Sequence, residues 1–251
     1  MVSFVPFRVA ECGCGRFNAL ARIAAMRILP VLLLPLFLAG CMFGGGGRDE
    51  PPRRPVVRPD PRGPVTLNLP TSRETQQCFG DLSRANVRFS PLPDRDYGGG
   101  CQVVGAVELI DIGLPVTNLK GMRCPLARNF IAWIRNAAVP AAREILDGEL
   151  VRVETMGSYS CRGIIGAGQA AAGRVSEHGL GNAVDVSAFV LRDGRRITVK
   201  QGWRGNEDER EFLQAIHRSA CRRFATVLSP DYNAAHHDHL HFDMGRGPFC
   251  R

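Results

Sequence analysis

The feature that most constrains this chain is a short apolar run at residues 28–38, which follows Arg27. The run is too short to cross a bilayer, because a spanning helix needs about 20 apolar residues. A positive flank, a short apolar centre and small residues before a cleavage point are typical of a secretory signal peptide. We therefore predict that residues 1–40 are a signal peptide, with Met26 as an alternative start, and that the remainder folds after export.

The end of this run carries a second signal. The tetrapeptide Leu38-Ala39-Gly40-Cys41 resembles the lipobox of bacterial lipoproteins. That resemblance implies that Cys41 is lipidated, becomes the mature N-terminus and anchors the chain to a cell-envelope membrane, facing the periplasm. Met42 stands where some inner-membrane lipoproteins carry aspartate, which favours the outer membrane. The alternative is an ordinary secretory signal followed by an incidental cysteine.

Export determines how the remaining cysteines are interpreted. Of nine cysteines, Cys12 and Cys14 precede the apolar run and Cys41 is the lipidation candidate. Six cysteines remain, and an even number of cysteines in an oxidising compartment predicts disulfides. The absence of a Cys-x-x-Cys pair among them argues against a thiolate metal site. The six disulfide candidates are Cys78, Cys101, Cys124, Cys161, Cys221 and Cys250. Many connectivities are possible, and we expect sequential pairing: 78–101, 124–161 and 221–250.

Composition divides the exported part into a tether and a domain. Residues 41–72 contain a run of four glycines and then prolines among arginines, which predicts an extended tether without a core. Residues 73–251 have the composition of a folded domain. The formal charge of +8 raises the question of nucleic acid, but the basic residues are scattered and not interleaved with aromatics. We therefore expect no nucleic-acid partner.

Local patterns in the domain predict both strands and helices. Strands are expected at residues 103–112, 151–156, 184–191, 196–199 and 239–243, with a type I′ turn at Asp193-Gly194 joining two of them into a hairpin. One helix should begin at Pro125, be broken or kinked at Pro140 and end before Gly148. A second should be capped by Asn206 and reach about residue 223. The lack of regular β-α-β alternation favours an α+β fold.

Two segments carry the residues with metal-binding chemistry. Four of the six histidines fall within residues 236–241. On a strand over 239–243, His239, His241 and Asp243 share one face while Leu240 and Phe242 point into the core. Upstream, glycines after His178 permit a tight path back to a strand that begins near Asp185. Imidazole and carboxylate are zinc ligands, and catalytic zinc sites use three protein ligands and an open position.

These residues form a recognisable pattern. The arrangement Ser176-x-His178-x-x-Gly181-x-Ala183-x-Asp185, followed by His239-x-His241, resembles the zinc D-Ala-D-Ala carboxypeptidases and murein endopeptidases, including the vancomycin-resistance dipeptidases. The hedgehog signalling domain shares that fold. More narrowly, residues 75–251 resemble the extensin-like C-terminal domain family. The motifs that carry this second resemblance are Gly157-Ser158-Tyr159-Ser160-Cys161-Arg162, Ser176-Glu177-His178 and Pro230-Asp231-Tyr232-Asn233-Ala234-Ala235-His236.

The resemblance implies a fold and a role for each matched residue. The fold would be a small antiparallel sheet with flanking helices and a zinc cleft, stapled by disulfides. His178, Asp185 and His241 match the ligands of one Zn²⁺ per chain. Asp238 matches the position of the acidic general base, and His239 a histidine that steadies the reacting oxygen or orients the base. Arg162 and Ser176 match substrate-binding positions.

The chain departs from the dipeptidases close to the last ligand. They carry Glu-x-x-His with a tryptophan before the histidine, whereas this chain has Asp238 and Leu240. The shorter carboxylate leaves two alternatives open, namely that His236 shares or replaces the role of base and that Asp238 is a turn residue. For Arg162 the alternative is a structural salt bridge.

These inferences lead to an expected function with two alternatives. The first expectation is a zinc-dependent peptidase, a carboxypeptidase or an endopeptidase, acting on stem peptides or crosslinks of peptidoglycan at the cell envelope. The second is a non-catalytic, zinc-stabilised lipoprotein that binds cell-wall peptides or a protein partner. The third is a disulfide-rich structural lipoprotein without metal. Zinc content separates the third from the others, and activity separates the first from the second.

Overall fold

A computed structural model describes residues 57–165, 171 and 173–251. The predicted signal peptide, the lipidation candidate Cys41 and the first part of the predicted tether lie outside these residues. In the part that is described, no helix is both long enough and apolar enough to cross a membrane.

The described chain contains short strands and five α-helices in an irregular order. The strands are β1 Val65–Thr66, β2 Arg88–Pro91, β3 Arg95–Asp96, β4 Gln102–Val103, β5 Ala106–Asp111, β6 Val116–Thr117, β7 Met122–Arg123, β8 Leu150–Gly157, β9 Ala183–Leu191, β10 Arg196–Thr198, β11 Thr226–Leu228, β12 Leu240–Asp243 and β13 Phe249–Cys250. The helices are α1 Arg73–Arg84, α2 Cys124–Trp133, α3 Val139–Ile145, α4 Val199–Gly202 and α5 Glu207–Ala220. This mixture confirms the predicted α+β class.

The largest sheet has seven strands and is larger than the small sheet expected. Its order is β13-β11-β12-β9-β8-β6, with β10 pairing with β9. The pairs β6/β8 and β11/β13 are parallel and the others antiparallel. The predicted hairpin is the β9–β10 pair. Its turn is not type I′, because Gly194 has a positive φ and Asp193 does not, whereas that turn needs two such residues.

Two three-stranded antiparallel sheets accompany the large one, in the orders β1-β3-β4 and β2-β5-β7. The predicted strand at 103–112 is therefore divided between β4 and β5, which belong to different sheets. Between them Gly105 has φ +63°, a left-handed conformation that turns the chain. The first of these sheets also recruits β1, which lies in the predicted tether. The ordered fold thus begins before residue 73.

One aromatic side chain links the helices to the large sheet. Trp133, at the end of α2, is fully buried against Phe189 of β9 and Phe242 of β12. Its indole N–H donates to the carbonyl of Ile216 in α5 at 3.0 Å, which satisfies a polar group that burial would otherwise penalise. This contact joins α2, α5 and both strands that carry the candidate ligands into one core.

The helix predicted to be broken or kinked at Pro140 continues through that residue. After α2 the chain forms a π-helical turn at Ile134–Ala138 and proceeds directly into α3. Proline lacks the N–H for a regular backbone bond, and its ring crowds the preceding turn. The wider π-helical turn accommodates both effects, so the helix is adjusted and not broken.

Helix α5 begins where the sequence predicted. Asn206 accepts a hydrogen bond from the Glu209 amide at 2.9 Å, which satisfies one of the free N–H groups of the first turn. We expect Asn206→Ala to lower the free energy of unfolding by about 1 kcal/mol and Asn206→Asp to change it little. Urea denaturation measures both, and equal stability of the alanine and aspartate variants would show that the cap is unimportant.

The three disulfides confirm that all six candidate cysteines pair, but two of the predicted pairs are wrong. The bonds join Cys78 to Cys124, Cys101 to Cys161 and Cys221 to Cys250. The first staples α1 to the start of α2. The second joins the turn before β4 to the segment after β8. Sequential pairing fails because these bridges follow the packing of elements that are distant along the chain.

Candidate metal centre

A short 3₁₀ helix, Glu177–Leu180, positions the first candidate ligand. Ser176 caps it by accepting a bond from the amide of His178 at 3.4 Å. Gly181 ends it in a left-handed conformation with φ +62°, which returns the chain to the start of β9. His178, only 3% exposed, thereby comes to lie beside the strand that follows it.

The register of two neighbouring strands positions the other two candidate ligands, Asp185 and His241. In the antiparallel pair β9/β12, His241 lies directly opposite Asp185. Side chains on a strand alternate, so Leu240 and Phe242 enter the core while His241 and Asp243 face the other side. Both apolar side chains are fully buried, which confirms the predicted alternation. The strand begins at Leu240, and His239 precedes it.

Three donor side chains converge at this point. His178 Nε2 lies 3.2 Å from His241 Nδ1 and 3.1 Å from Asp185 Oδ2, and His241 Nδ1 lies 2.8 Å from Asp185 Oδ1. Tetrahedral zinc with bonds of about 2.0–2.1 Å holds its donors roughly 3.3 Å apart. The three side chains are buried and form a donor set that could hold a divalent ion. Their chemistry and spacing fit zinc.

Charge is concentrated around these donors. Burial by itself would raise the pKa of Asp185, but hydrogen bonds from His178 and His241 outweigh it and hold that pKa well below its usual value. Burial would lower the pKa of His241, yet Asp185 and Asp243 on its two sides raise it. His241 Nε2 donates to Asp243 Oδ2 at 3.0 Å, which orients the ring so that Nδ1 faces the other two donors.

His236 is presented to the same region by a second 3₁₀ helix, Ala234–His236. Its Nδ1 donates to Asn233 Oδ1 at 2.7 Å, which leaves Nε2 as the acceptor of a neutral ring. Burial, together with the nearby His239 and His241, lowers the pKa of His236 to about 4. The ring is therefore neutral near pH 7. Sequence reasoning missed Asn233, although an asparagine at the start of a short helix is a recognisable capping signal.

Asp238, the predicted base, is hydrogen-bonded to its neighbour His239. Its carboxylate accepts from His239 Nδ1 at 2.9 Å and borders a shallow surface depression with Met156 and Lys200. His239 Nε2 faces the other way, 3.6 Å from Asp185 Oδ1. The arrangement is an aspartate that orients a histidine, whose second nitrogen faces the ligands.

A cleft of about 230 Å³ opens beside the candidate metal centre, and His241 is the candidate ligand that lines it. Arg162 and Ser176, both predicted to bind substrate, lie in its lining with His236, His239 and His241. The remaining walls are largely apolar. They include Ile164, Ile165 and Phe249, which were not predicted, and Tyr232, for which core packing was expected in preference to the cleft.

Arg162 has no salt-bridge partner in the described part of the chain. Its guanidinium makes one long bond, 3.4 Å, to the carbonyl of Gly163. The structural salt bridge considered as an alternative is therefore not formed with any described residue, and the cation remains available to the cleft.

A second grouping of donor types lies elsewhere. His217 Nε2 is 3.9 Å from the sulfurs of both Cys221 and Cys250. Those sulfurs are joined as a disulfide, and a disulfide does not provide thiolate ligands. Among the described residues, the donors that remain free to converge on one ion are His178, Asp185 and His241.

Comparison with known proteins places this site within a family. The sequence model of the extensin-like protein C-terminus matches residues 76–251, which include every candidate site residue of the domain. No curated protein and no solved structure shows significant similarity to the chain. Since the match covers more than half of the sequence, the chain belongs to the extensin-like protein C-terminus family.

Proposed function

We propose that this protein is a zinc-dependent peptidase that cleaves stem peptides or crosslinks of peptidoglycan. The observation that carries the proposal is the convergence of His178, Asp185 and His241 beside a cleft that His241 lines together with Arg162, an arginine without a salt-bridge partner among the described residues. Catalytic zinc sites typically combine three protein ligands with an open side. The placement of these ligands on a 3₁₀ helix and two paired strands is consistent with the proposed relation to the D-Ala-D-Ala peptidase and hedgehog fold.

Zinc held by these three side chains would supply Lewis acidity, polarising a substrate carbonyl and acidifying water. The protein contributes a buried, oriented donor set. Asp243 holds the His241 ring, and Ser176 holds the turn that carries His178. The low pKa of Asp185 keeps its carboxylate ionised.

Two histidines are placed to handle protons. His239 donates through Nδ1 to Asp238, so its Nε2 can accept a proton on the cleft side, and the resulting imidazolium is stabilised by that carboxylate. His236 is neutral and has a free Nε2 as well. We assign the proton transfer to these two rings and propose Asp238 as a positioning residue that acts through His239.

The lining of the cleft suits a peptide. Arg162 provides a forked donor for a carbonyl or carboxylate group. Ile164, Ile165 and Phe249, which are 37%, 58% and 40% exposed, offer apolar surface for small aliphatic side chains such as those of stem peptides. We propose that Arg162 orients the peptide while the apolar walls accept its side chains.

We also propose that the protein acts in the cell envelope, anchored through Cys41 and facing the periplasm. Three disulfides in the described domain support an oxidising compartment, because such bonds are rare where thiols are kept reduced. A tether between anchor and domain would let the cleft reach a polymer beyond the membrane surface.

Zinc affinity should depend on the carboxylate behind His241. In Asp243→Asn the bond from the Gly245 amide can be kept, but the charge that orients and polarises the imidazole is lost. We expect zinc affinity to fall by roughly 10- to 100-fold without unfolding. Competition with a chromophoric chelator measures the change, and unaltered affinity would mean that Asp243 does not support the ligand.

The proposed activity is tested by incubating the zinc-loaded protein with purified muropeptides and identifying the products by mass spectrometry. His239→Gln and His236→Gln are assayed alongside, with zinc content recorded. His237→Gln is the matched control, because this neighbouring histidine has a side chain that is 57% exposed and lies outside the cleft lining.

We expect wild type and His237→Gln to release the same products, and the His239 variant to retain zinc while losing activity. Asp238→Asn should lose less activity than His239→Gln, because it acts through that ring. Stoichiometric zinc without cleavage of a broad muropeptide panel would favour the non-catalytic binding module. Absence of bound zinc would overturn both the peptidase and the zinc-stabilised binding module, and would leave a structural lipoprotein.

A further inference from the structure

Part of the predicted tether is bound to the domain. Residues 57–67 include most of the ordered chain ahead of α1 and contain β1, which pairs with β3 in antiparallel register. Beyond this pairing, the Leu67 amide donates to the Asp94 carbonyl at 2.9 Å, and the Asp60 amide donates to the Tyr97 carbonyl. Backbone hydrogen bonds therefore hold this part of the tether on the domain at several points.

The surface that receives the tether is a turn of three consecutive glycines, residues 98–100, which all have a positive φ. A side chain at Gly98 would come within 2.8 Å of the Asp60 Cβ, and one at Gly99 would overlap the Arg58 carbonyl oxygen. The lack of side chains lets the two backbones approach closely. This glycine turn and the tether are thus in direct backbone contact.

The glycine turn also contacts two segments of the proposed cleft. It is followed by Cys101, whose disulfide leads to Cys161, directly before Arg162. On the other segment, a side chain at Gly100 would come within 2.9 Å of the Val175 side chain. One turn therefore connects the tether with the segments that carry two residues of the cleft lining.

These two cleft segments are paired with each other, and the tether reaches them directly as well. Gly163 forms a β-bridge with Val175, and the Ser176 amide donates to the Arg162 carbonyl at 3.0 Å. A Cβ at Gly163 would lie 3.9 Å from the Val57 side chain, which is ordinary van der Waals contact. The tether thus touches the residue that directly follows the cleft arginine.

The Arg162 side chain has few contacts of its own to fix it. Among the described residues it has no salt-bridge partner and makes one long bond, to the Gly163 carbonyl. A long, mobile side chain loses conformational entropy when it engages a ligand. Its orientation before binding depends on the backbone from which it extends, and a fixed backbone reduces the cost of binding.

We propose that residues 57–67 are a positioning segment of the cleft. Docked on the glycine turn, they hold the backbone of residues 161–164 so that Arg162 is oriented for the substrate. The inference rests on the proposed function for that substrate, whereas the docking itself does not. The functional unit accordingly begins near residue 57, ahead of the family match that starts at residue 76.

The test replaces residues 57–67 of the full chain by a Gly-Ser segment of the same length, which keeps the connection and removes β1. The matched control carries the same replacement at residues 42–52. Hydrogen exchange with mass spectrometry follows the backbone at 161–164, and muropeptide cleavage gives kcat and KM, with zinc content recorded. In the first variant alone, we expect exchange at 161–164 to accelerate about tenfold or more and KM to rise roughly fivefold, with kcat and zinc content little changed.

Gly99→Ala tests the same contact from the side of the domain, because its methyl group would displace the Arg58 carbonyl. It should reproduce the faster exchange and the higher KM. Gly194→Ala is the matched control, since Gly194 also has a positive φ, +91°, but has open space around it. This control introduces backbone strain without displacing the tether, so exchange at 161–164 and KM should match wild type.

Arg162→Gln determines whether the effect passes through the arginine. In that background, replacing residues 57–67 should raise KM no further, because the effects of coupled residues do not add. The same fivefold rise in both backgrounds would overturn the proposal, as would unchanged exchange at 161–164 after the replacement. If wild type cleaves no muropeptide, the proposed activity fails, and the dissociation constant for intact muropeptides replaces KM in the same comparison. The exchange result tests the docking in either case.

Discussion

His178→Ala should abolish both stoichiometric zinc binding and muropeptide cleavage. The substitution leaves two of three donors, and we expect zinc affinity to fall on the order of a thousandfold or more. The loss should exceed that of any other single substitution considered, because the ligand contributes directly to the donor set. Equilibrium dialysis with metal analysis and the cleavage assay measure the two effects separately.

Folding must be preserved for this result to be informative. His178 lies on a short 3₁₀ helix whose cap, Ser176, bonds to the backbone of residue 178 and not to its side chain. Circular dichroism should therefore be unchanged in the metal-free variant. His237→Ala serves as the control and should bind zinc normally. Full zinc occupancy in a folded His178→Ala protein would contradict the assignment of the metal centre.

Removing the Cys101–Cys161 bridge by double alanine substitution should cost about 4 kcal/mol of stability and weaken zinc binding as well. The stability term follows from the loop that the bridge closes across a separation of 60 residues. The second effect follows from its location: Cys161 precedes Arg162 of the cleft, and the Cys101 sulfur packs closely against Gly179, next to His178. Without the bridge, both segments lose a fixed support.

The Cys78–Cys124 bridge provides a matched control. Its separation is 46 residues, so the loop-closure terms differ by only about 0.2 kcal/mol. It joins α1 to α2, and neither of its cysteines is adjacent in sequence to a residue of the cleft or to a candidate ligand. Urea denaturation should show similar destabilisation for both double variants, and zinc titration should show weakened binding only for Cys101/Cys161. Equal zinc affinities would mean that the bridge stabilises the fold without shaping the site.

Much of the candidate site could be predicted from local patterns. The alternation over 239–243 placed His241 and Asp243 on one face and Phe242 in the core, because the two-residue period of a strand is a property of the backbone itself. Glycines around His178 and the capping residue Asn206 were equally readable, since each acts on neighbours a few positions away. The family of the domain followed from motifs that lie within single segments.

The tertiary structure decided the features that depend on which segments meet. It paired Cys78 with Cys124 and Cys101 with Cys161, because packing of helices and turns, not order along the chain, sets the distance between sulfurs. It turned Asp238 toward His239 and a separate surface depression, an orientation set by the turn before β12. It also brought His178, Asp185 and His241 together from three segments. Local sequence determines a side chain's face within its own element, whereas contacts between distant elements arise only when the whole core packs.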